Sequence, residues 1–191
     1  MDVAVWRRET RARLIALRQQ IPADEHRQAS LKIEGLLEET LSALPPQTLS
    51  AYWPFQAEVD LRGLVDRMRA LGWIASLPLV VKKRAPLEFL RWVVDAEMDE
   101  GVYGIPVPRI RVPVQPGVVI IPLVGFDAQN FRLGYGAGYY DITLAALQPR
   151  PRTIGIGFEI SRLETIYPHT TDIPLDLIIT EAGIQKFGDA H

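Results

Sequence analysis

The sequence of 191 residues contains no cysteine. Disulfide bonds, thiolate catalysis and zinc–thiolate sites are therefore excluded. The three histidines, His26, His169 and His191, lie far apart in the chain and give no indication of a histidine metal cluster. Any metal ion is therefore expected to be a hard cation that is bound through oxygen atoms.

Long apolar segments are also missing. No stretch approaches about 18 uninterrupted apolar residues, and Met1–Glu9 carry no apolar core of signal-peptide length. The formal net charge is only −2, so no global basic field favours nucleic acid. We expect a cytoplasmic protein without nucleic-acid or membrane partners, in which any anion site is local.

The composition is that of an ordinary globular chain. Hydrophobic residues make up 48% and charged residues 23% of the sequence, and a chain of this length can bury a sizeable core. The sequence shows neither internal repeats nor low-complexity segments. Residues 1–191 are therefore predicted to form a single domain, and the protein is expected to be a monomer.

Apolar periodicity predicts an N-terminal helical hairpin. Its first helix covers Val3–Gln19, the step Ile21-Pro22 ends that helix, and a second helix runs from about Ala23 to Leu41. In the first helix one stripe carries Trp6, Thr10, Leu14 and Leu17, and another carries Arg7, Arg11 and Arg18.

Strands and helices alternate in the rest of the chain. Helices are predicted over Leu61–Leu71 and Ile142–Leu147, and residues 103–117 are expected to form an irregular, proline-rich loop. Because strands separated by helices favour parallel pairing, the predicted fold is a three-layer α/β sandwich. Its sheet is mainly parallel but mixed, has helices on both faces, and gains an antiparallel edge from Leu87–Val94. The predicted strands are Thr48–Trp53, Ile74–Leu79, Leu87–Val94, Val118–Val124, Thr153–Phe158 and Leu175–Thr180.

A glycine-rich segment follows the apolar run Val118–Val124. Gly134, Gly136 and Gly138 alternate with other residues and would let the backbone adopt positive φ and bring its N–H groups close to a polyphosphate. Such a loop at the carboxyl end of a buried strand would deliver an anion to the helix opened by Asp141. The G-x-G-x-G spacing fits neither a Walker loop nor a dinucleotide fingerprint, and by itself is equally consistent with a tight turn.

Two runs around these glycines carry a family resemblance. The segment Ile121–Asp127, followed by Arg132–Asp141, resembles the signature of the 5-formyltetrahydrofolate cyclo-ligase family, also called methenyltetrahydrofolate synthetases. Segments at Gln56–Asp60, Gly104–Pro108 and Asp172–Thr180 also have counterparts in that family, so the likeness covers nearly the whole chain. The resemblance implies an ATP- and Mg²⁺-dependent ligase. Its reaction converts 5-formyltetrahydrofolate to 5,10-methenyltetrahydrofolate through a phosphorylated formyl group, with release of ADP and phosphate.

The resemblance also implies a set of site residues. Arg132 and Tyr139 are expected to act in catalysis, and Asp141 and Asp172 to bind Mg²⁺. The residues expected at ATP are Arg7, Arg11, Arg132, Leu133, Gly134, Tyr135, Gly136, Ala137, Gly138, Tyr139 and Tyr140. The residues expected at the folate are Trp53, Glu58, Tyr103 and Tyr139, with the Glu58 carboxylate accepting from the N3–H and amino edge of the pterin.

Simpler structural roles remain open for several of these residues. Arg132 could form a surface ion pair, Arg7 and Arg11 a solvated face, Asp141 a helix N-cap, and the aromatic residues part of the core. The chain also departs from the family where Val3 replaces a lysine and Asn130 replaces a glycine, although asparagine tolerates the left-handed conformation. These departures favour the alternative of a nucleotide- or folate-binding paralogue without catalysis. A nucleotide-dependent oxidoreductase is disfavoured by the glycine spacing.

Overall fold

Two long helices begin the structure, which is a computed structural model and describes residues 2–188. Helix α1 spans Val3–Gln19 and helix α2 spans Ala23–Ser42, as the periodicity predicts. The Asp2 carboxylate accepts the backbone N–H of Ala4 at 2.9 Å and thereby caps α1.

The two helices bury their apolar side chains in different places. Helix α2 packs on the main sheet through a fully buried row that consists of Ile33, Leu37 and Leu41. Helix α1 instead packs through Leu14 against a separate cluster that includes Leu133. The turn between the helices therefore joins two elements that pack in different clusters. Helix α1 also lines the cavity described below, through Arg7 and Arg11.

The central element is a seven-stranded mixed sheet. Its strands are β1 (Thr48–Ser50), β2 (Ile74–Leu79), β3 (Glu88–Arg91), β6 (Val118–Pro122), β9 (Arg152–Ile156), β10 (Leu177–Thr180) and β11 (Gly183–Lys186). The order across the sheet is β11-β10-β9-β6-β1-β2-β3. The inner strands are parallel, whereas the edge strands β3 and β11 pair antiparallel. The mainly parallel sheet and the antiparallel edge formed by β3 are therefore confirmed.

The remaining elements are short. They are α3 (Arg62–Ala70), α4 (Tyr139–Ala146), two 3-10 turns (Val102–Gly104 and Glu159–Ser161), the hairpin of β4 (Met98–Glu100) with β5 (Pro106–Pro108), and the hairpin of β7 (Gly125–Phe126) with β8 (Arg132–Leu133). Among the helices of the described residues, none combines the length and apolar character that a membrane crossing needs.

Alternation along the strands builds the three layers. In β6, Val118 and Ile120 belong to the cluster shared with α2 and α3, whereas Val119 and Ile121 belong to the cluster shared with α4. Successive side chains of a strand point to opposite faces, so a continuous apolar run can supply both cores. The predicted three-layer α/β arrangement is thus confirmed.

Several predicted boundaries were wrong. β1 ends at Ser50 rather than Trp53, and β6 ends at Pro122 rather than Val124. Beyond each strand one further backbone hydrogen bond reaches the neighbouring strand, from Ala51 N to Ser76 O at 3.0 Å and from Leu123 N to Ile156 O at 2.9 Å. Residues 103–117 are not wholly irregular, since β5 pairs with β4 there. The missed edge strand β11 is half-exposed and weakly apolar, so its pattern gives little signal.

Candidate active site

A cavity of about 470 Å³ lies at the carboxyl ends of β1, β2 and β6. β2 and β6 lie on opposite sides of β1, so the cavity marks the point where the strand order reverses. Trp53 and Glu58 follow β1, Val80 follows β2, and Pro122 ends β6, and all four line the cavity. Open α/β sheets bind their ligands at this type of position.

The sequence predicted that the glycine loop follows β6 directly, but in the structure it does not. The β7–β8 hairpin intervenes, and buried Asp127 stabilises it by accepting backbone N–H groups of Phe131 at 3.1 Å and Ile166 at 3.1 Å. Asn130 adopts the left-handed conformation expected for it, with φ of 63°, and its side chain donates to Leu175 O at 2.8 Å. The loop therefore starts from β8 and reaches the cavity from one side.

Positive φ is used at two of the three loop glycines. Gly136 has φ of 103° and Gly138 has φ of 69°, whereas Gly134 does not adopt positive φ, contrary to the prediction. Helix α4 begins at Tyr139, earlier than predicted, so Asp141 lies in its first turn and is not the N-cap. The N-cap position is Gly138, which has no side chain to bind the first amides of α4, and these amides are therefore available to an anion.

Two arginine–aspartate pairs line the cavity beside this loop. Arg132 Nη2 lies 2.8 Å from Asp141 Oδ1, and Arg7 forms an ion pair with Asp172. Arg132 is 8% exposed, and its Nη2 makes no hydrogen bond within residues 2–188. The pair with Asp141 is therefore a close charge contact without hydrogen-bond geometry, and it leaves a buried donor available. The suggestion that Arg132 forms an ordinary surface ion pair was wrong.

Arg11 adds a third cation. Its Nε donates to Gly134 O at 2.7 Å, so α1 contacts the glycine loop directly. Burial, followed by the charge of Arg7, lowers the pKa of Arg11, and Asp172 acts in the opposite direction. A guanidinium nevertheless stays protonated near neutral pH. Three arginines face two aspartates here, so this wall carries excess positive charge.

Glu58 lies across the cavity and is 7% exposed. Its Oε2 accepts the backbone N–H of Phe55 at 2.9 Å, and its Oε1 accepts the hydroxyl of Tyr135. Burial raises the pKa of Glu58, while the Tyr135 hydrogen bond and the charge of Arg18 oppose that rise. Burial and the Glu58 charge also raise the pKa of Tyr140, a further residue of the cavity wall.

Aromatic side chains form the wall next to Glu58. The Trp53 ring lies 5.9 Å from the ring of Trp92, and the guanidinium of Arg62 lies 4.9 Å from the Trp53 centroid. Tyr103 projects from the turn between β4 and β5, has φ of 62°, and is 69% exposed at the cavity rim. A flat apolar ligand could therefore contact both Trp53 in the cavity wall and Tyr103 at the rim.

The structure brings every sequence-predicted site residue to this one cavity. They are Arg7, Arg11, Trp53, Glu58, Tyr103, Arg132, Leu133, Gly134, Tyr135, Gly136, Ala137, Gly138, Tyr139, Tyr140, Asp141 and Asp172.

Sequence reasoning missed the apolar lining and one buried cation. Phe55, Val80 and Leu87 line the cavity without a motif of their own. Arg18 was assigned to the charged stripe of α1, but it is 3% exposed and donates to Tyr135 Oη at 2.7 Å. Its position four residues after Leu14, on the buried stripe of α1, was a signal that could have identified it.

The oxygen atoms present suit a magnesium ion better than a transition metal. Within residues 2–188 no group of three or more His, Cys, Asp or Glu side chains could hold a metal, and His191 lies outside the described residues. Asp141 uses Oδ1 for its hydrogen bond and ion pair and Asp172 uses Oδ2, which leaves one carboxylate oxygen on each without a hydrogen bond inside the described chain. Mg²⁺ commonly binds through one or two carboxylates, with phosphate oxygens and water completing its shell.

Comparison with known proteins gives one consistent result. The sequence model of the 5-formyltetrahydrofolate cyclo-ligase family matches residues 3–181. The 5-formyltetrahydrofolate cyclo-ligase of Haemophilus influenzae is 25% identical over 181 residues, which cover 91% of this chain and 97% of that protein. The enzyme of the same name from Escherichia coli K12 is 29% identical over 147 residues, covering 73% of this chain and 81% of that protein.

Solved structures agree with the sequence matches. The NMR structure of Aquifex aeolicus 5,10-methenyltetrahydrofolate synthetase aligns with a TM-score of 0.83 at 26% identity, over 97% of this chain and 94% of that one. The 5,10-methenyltetrahydrofolate synthetase of Mycoplasma pneumoniae aligns with a TM-score of 0.77 at 24% identity, over 95% and 99% of the two chains. At 24% identity, the match to the Mycoplasma pneumoniae structure establishes a shared fold alone.

Proposed function

The chain belongs to the 5-formyltetrahydrofolate cyclo-ligase family, and we propose that it converts 5-formyltetrahydrofolate to 5,10-methenyltetrahydrofolate, using ATP and Mg²⁺ and releasing ADP and phosphate. The observation that carries this proposal is the pairing, in one cavity, of a cationic glycine-rich wall with an aromatic wall that ends in a buried carboxylate. The first wall suits a polyphosphate and the second suits a pterin. The cavity volume of about 470 Å³ is of the size that small-molecule sites have.

The nucleotide phosphates would bind at the glycine loop and the first turn of α4. Arg132 has a buried Nη2 that makes no hydrogen bond within residues 2–188, and phosphate oxygens are strong acceptors for a guanidinium. Arg7 and Arg11 contribute further positive charge from α1. Positive φ at Gly136 and Gly138 turns the backbone so that its N–H groups can approach a ligand closely.

Asp141 and Asp172 would hold the magnesium ion. Each of the two carboxylates is paired with an arginine, and a magnesium–nucleotide complex would offer a phosphate partner to the arginine and a cation to the carboxylate. The arginines would then turn to the phosphate oxygens, and the carboxylates to the cation. Bound Mg²⁺ would neutralise phosphate charge and help to align the transferred group.

The folate would occupy the other half of the cavity. Glu58 is acceptor-only when ionised, and the N3–H and amino edge of a pterin offers donors, so the two are complementary. Trp53 and Tyr103 would contact the ring system. Tyr139 opens α4 and lines the cavity, a position that suits contact with both ligands.

The reaction requires positioning rather than a protein nucleophile. The oxygen of a formamide is a poor leaving group, and transfer of the γ-phosphoryl group to it forms an imidate phosphate and releases ADP. The N10 amine then attacks the formyl carbon, N10 loses its proton, and phosphate leaves with the electrons of the C–O bond. Arg132 and the backbone N–H groups of the glycine loop would stabilise the negative charge that develops during transfer.

A direct assay tests the proposal. Purified protein is mixed with 5-formyltetrahydrofolate and Mg-ATP, and formation of the methenyl product is followed by its near-ultraviolet absorbance. We expect turnover that requires both ATP and Mg²⁺ and produces equal amounts of ADP and methenyltetrahydrofolate. Binding of nucleotide or folate without turnover would instead identify a non-catalytic paralogue, and binding of neither would reject the proposed function.

A further inference from the structure

Glu58 is presented by a backbone segment in an unusual conformation. Gln56 and Ala57, which immediately precede it, have φ of 49° and 60°. Two consecutive non-glycine residues in the left-handed region persist only when surrounding contacts hold them. Arg18 Nε donates to Gln56 O at 3.0 Å, and His26 Nε2 lies 2.9 Å from Ala57 O. Contacts from α1 and α2 therefore hold the segment from behind.

Arg18 also determines the direction of a hydrogen bond on the cavity side. A guanidinium can only donate, so the Tyr135 hydroxyl must accept from Arg18 Nη2 across their 2.7 Å contact. A tyrosine hydroxyl has one proton, and that proton is then directed to Glu58 Oε1. Arg18 Nη1 itself donates to Leu123 O at 3.1 Å, immediately after β6. The orientation of the hydroxyl is therefore imposed by the buried core.

We propose that Tyr135 is a positioning residue for the folate substrate. Its hydroxyl, oriented by Arg18, holds the Glu58 carboxylate in the direction that receives the donor edge of the bound pterin. The proposal rests on the proposed function, in which Glu58 binds the folate. It assigns the side chain of Tyr135 to the folate half of the cavity, although its backbone belongs to the glycine loop.

The position of Tyr135 between Gly134 and Gly136 has a consequence for binding. The glycine loop carries the proposed phosphate site, and the hydroxyl of the same loop contacts Glu58. The Tyr135 ring also lies 6.1 Å from the ring of Phe55, in the segment that leads to Glu58. Ordering of the loop by a nucleotide would therefore favour the binding orientation of Glu58, so the two substrates should increase each other's affinity.

The ionisation of Glu58 supplies a specific readout. The charged or titratable groups that face it are Arg18 from α1, Tyr52 after β1, Tyr135 from the glycine loop and Tyr140 from α4. Burial raises the pKa of Glu58, and the hydrogen bond from Tyr135 is the leading opposing influence. Removing that hydroxyl should raise the pKa further, so that the carboxylate is lost at a higher pH than in the wild type.

Tyr135→Phe tests the proposal because it removes the hydroxyl and keeps the ring. Loss of a hydrogen bond to a charged group predicts a Michaelis constant for 5-formyltetrahydrofolate that is higher by about tenfold or more. The acid limb of the profile of kcat/KM against pH should move to higher pH, while ADP affinity measured by calorimetry stays near wild type. Tyr167→Phe is the matched control, because its hydroxyl makes no hydrogen bond within residues 2–188, and it should change none of these values.

A double variant separates positioning from a general structural effect. If Tyr135 acts through Glu58, adding Tyr135→Phe to Glu58→Gln should produce little further loss of folate affinity. Full additivity, an unchanged acid limb, or equal losses of ADP and folate affinity with a lowered melting temperature would each overturn the proposal. Wild-type protein that neither binds nor converts 5-formyltetrahydrofolate would overturn the proposed function as well, whereas an active wild type with an unaltered Tyr135→Phe variant would overturn only this inference.

Discussion

Arg132 and Asp141 hold the same peptide segment between them. Arg132 Nη1 donates to Ile173 O at 2.8 Å, and Asp141 Oδ1 accepts Ile173 N at 2.9 Å, while the two side chains lie 2.8 Å apart. Asp172, the next carboxylate of the site, immediately precedes this residue and is paired with Arg7. The first turn of α4 and the segment after β9 are thus joined at the proposed phosphate and magnesium site, and ligand binding there should be sensitive to either pair.

Arg132→Ala should remove a contact to the transferred phosphoryl group that strengthens in the transition state. A loss of roughly 2–4 kcal/mol corresponds to a decrease of about 30- to 1000-fold in kcat/KM. Because Arg132 is buried beside Asp141, the variant should also have a lower melting temperature.

Arg132→Lys serves as the control for that effect. Lysine keeps the charge opposite Asp141 but lacks the planar fork that could hold Ile173 O and a phosphate together. We expect it to recover much of the thermal stability and little of the activity. Wild-type turnover in the lysine variant would show that bidentate contact by Arg132 is unnecessary.

Asp141→Asn should weaken the response of activity to Mg²⁺. Asparagine can still accept from Ile173 N, but it lacks the charge that favours binding of a divalent cation. The substitution removes a negative charge from the first turn of α4 and leaves the buried Arg132 guanidinium without the carboxylate 2.8 Å from its Nη2, so the melting temperature should also decrease. Magnesium titrations of activity provide the measurement, with the exposed Asp24→Asn substitution in α2 as control. Equal magnesium requirements in wild type and Asp141→Asn would show that Asp141 does not bind the metal ion.

The sequence predicted those parts of the fold that depend on local periodicity. Helix α1 and strand β2 have their predicted bounds, because apolar spacing reports regular structure over many residues. The hairpin of β7 and β8 was missed because each strand has two residues and depends on contacts of Asp127 with Phe131 and Ile166. No local pattern of two residues can indicate such pairing.

The candidate site was predicted through its motif rather than its packing. The glycine motif and the family resemblance pointed to residues that do line one cavity. For Arg18 the spacing from Leu14 could indicate burial, but it could not indicate the partners, since Gln56 and Tyr135 lie 38 and 117 positions away in the chain. A buried cation is identified by the acceptors that surround it, and these come together only in the folded protein.

Substitution of two loop glycines should show which of them is required for the backbone conformation of the loop. Gly136 has φ of 103°, and an added Cβ would lie 3.4 Å from Arg11 Cζ, so Gly136→Ala should lower stability by about 1–3 kcal/mol. Gly134 does not adopt positive φ, and a Cβ there would meet nothing within 4 Å, so Gly134→Ala should leave the melting temperature nearly unchanged. Thermal unfolding of both variants, followed by ADP calorimetry, provides the comparison. A destabilised Gly134→Ala variant or a fully stable Gly136→Ala variant would contradict the loop conformation described above.

Glu58→Gln should reduce folate binding much more than nucleotide binding. A carboxyl group whose pKa is raised in the folded state stabilises the protein when protonated, and this contribution is lost as the pH rises through the folded-state pKa. Neutral glutamine removes this pH dependence, but its NH2 group must face the Tyr135 O–H or the Phe55 N–H, which are both donors, and Arg18 loses the carboxylate 3.9 Å from its Nη2. The melting temperature should therefore fall, and it should vary less with pH than that of the wild type. The amide also presents a donor to a ring edge that itself donates, so the Michaelis constant for 5-formyltetrahydrofolate should rise while ADP affinity persists. A variant that loses both stability and ADP binding would instead identify Glu58 as a residue that supports the fold.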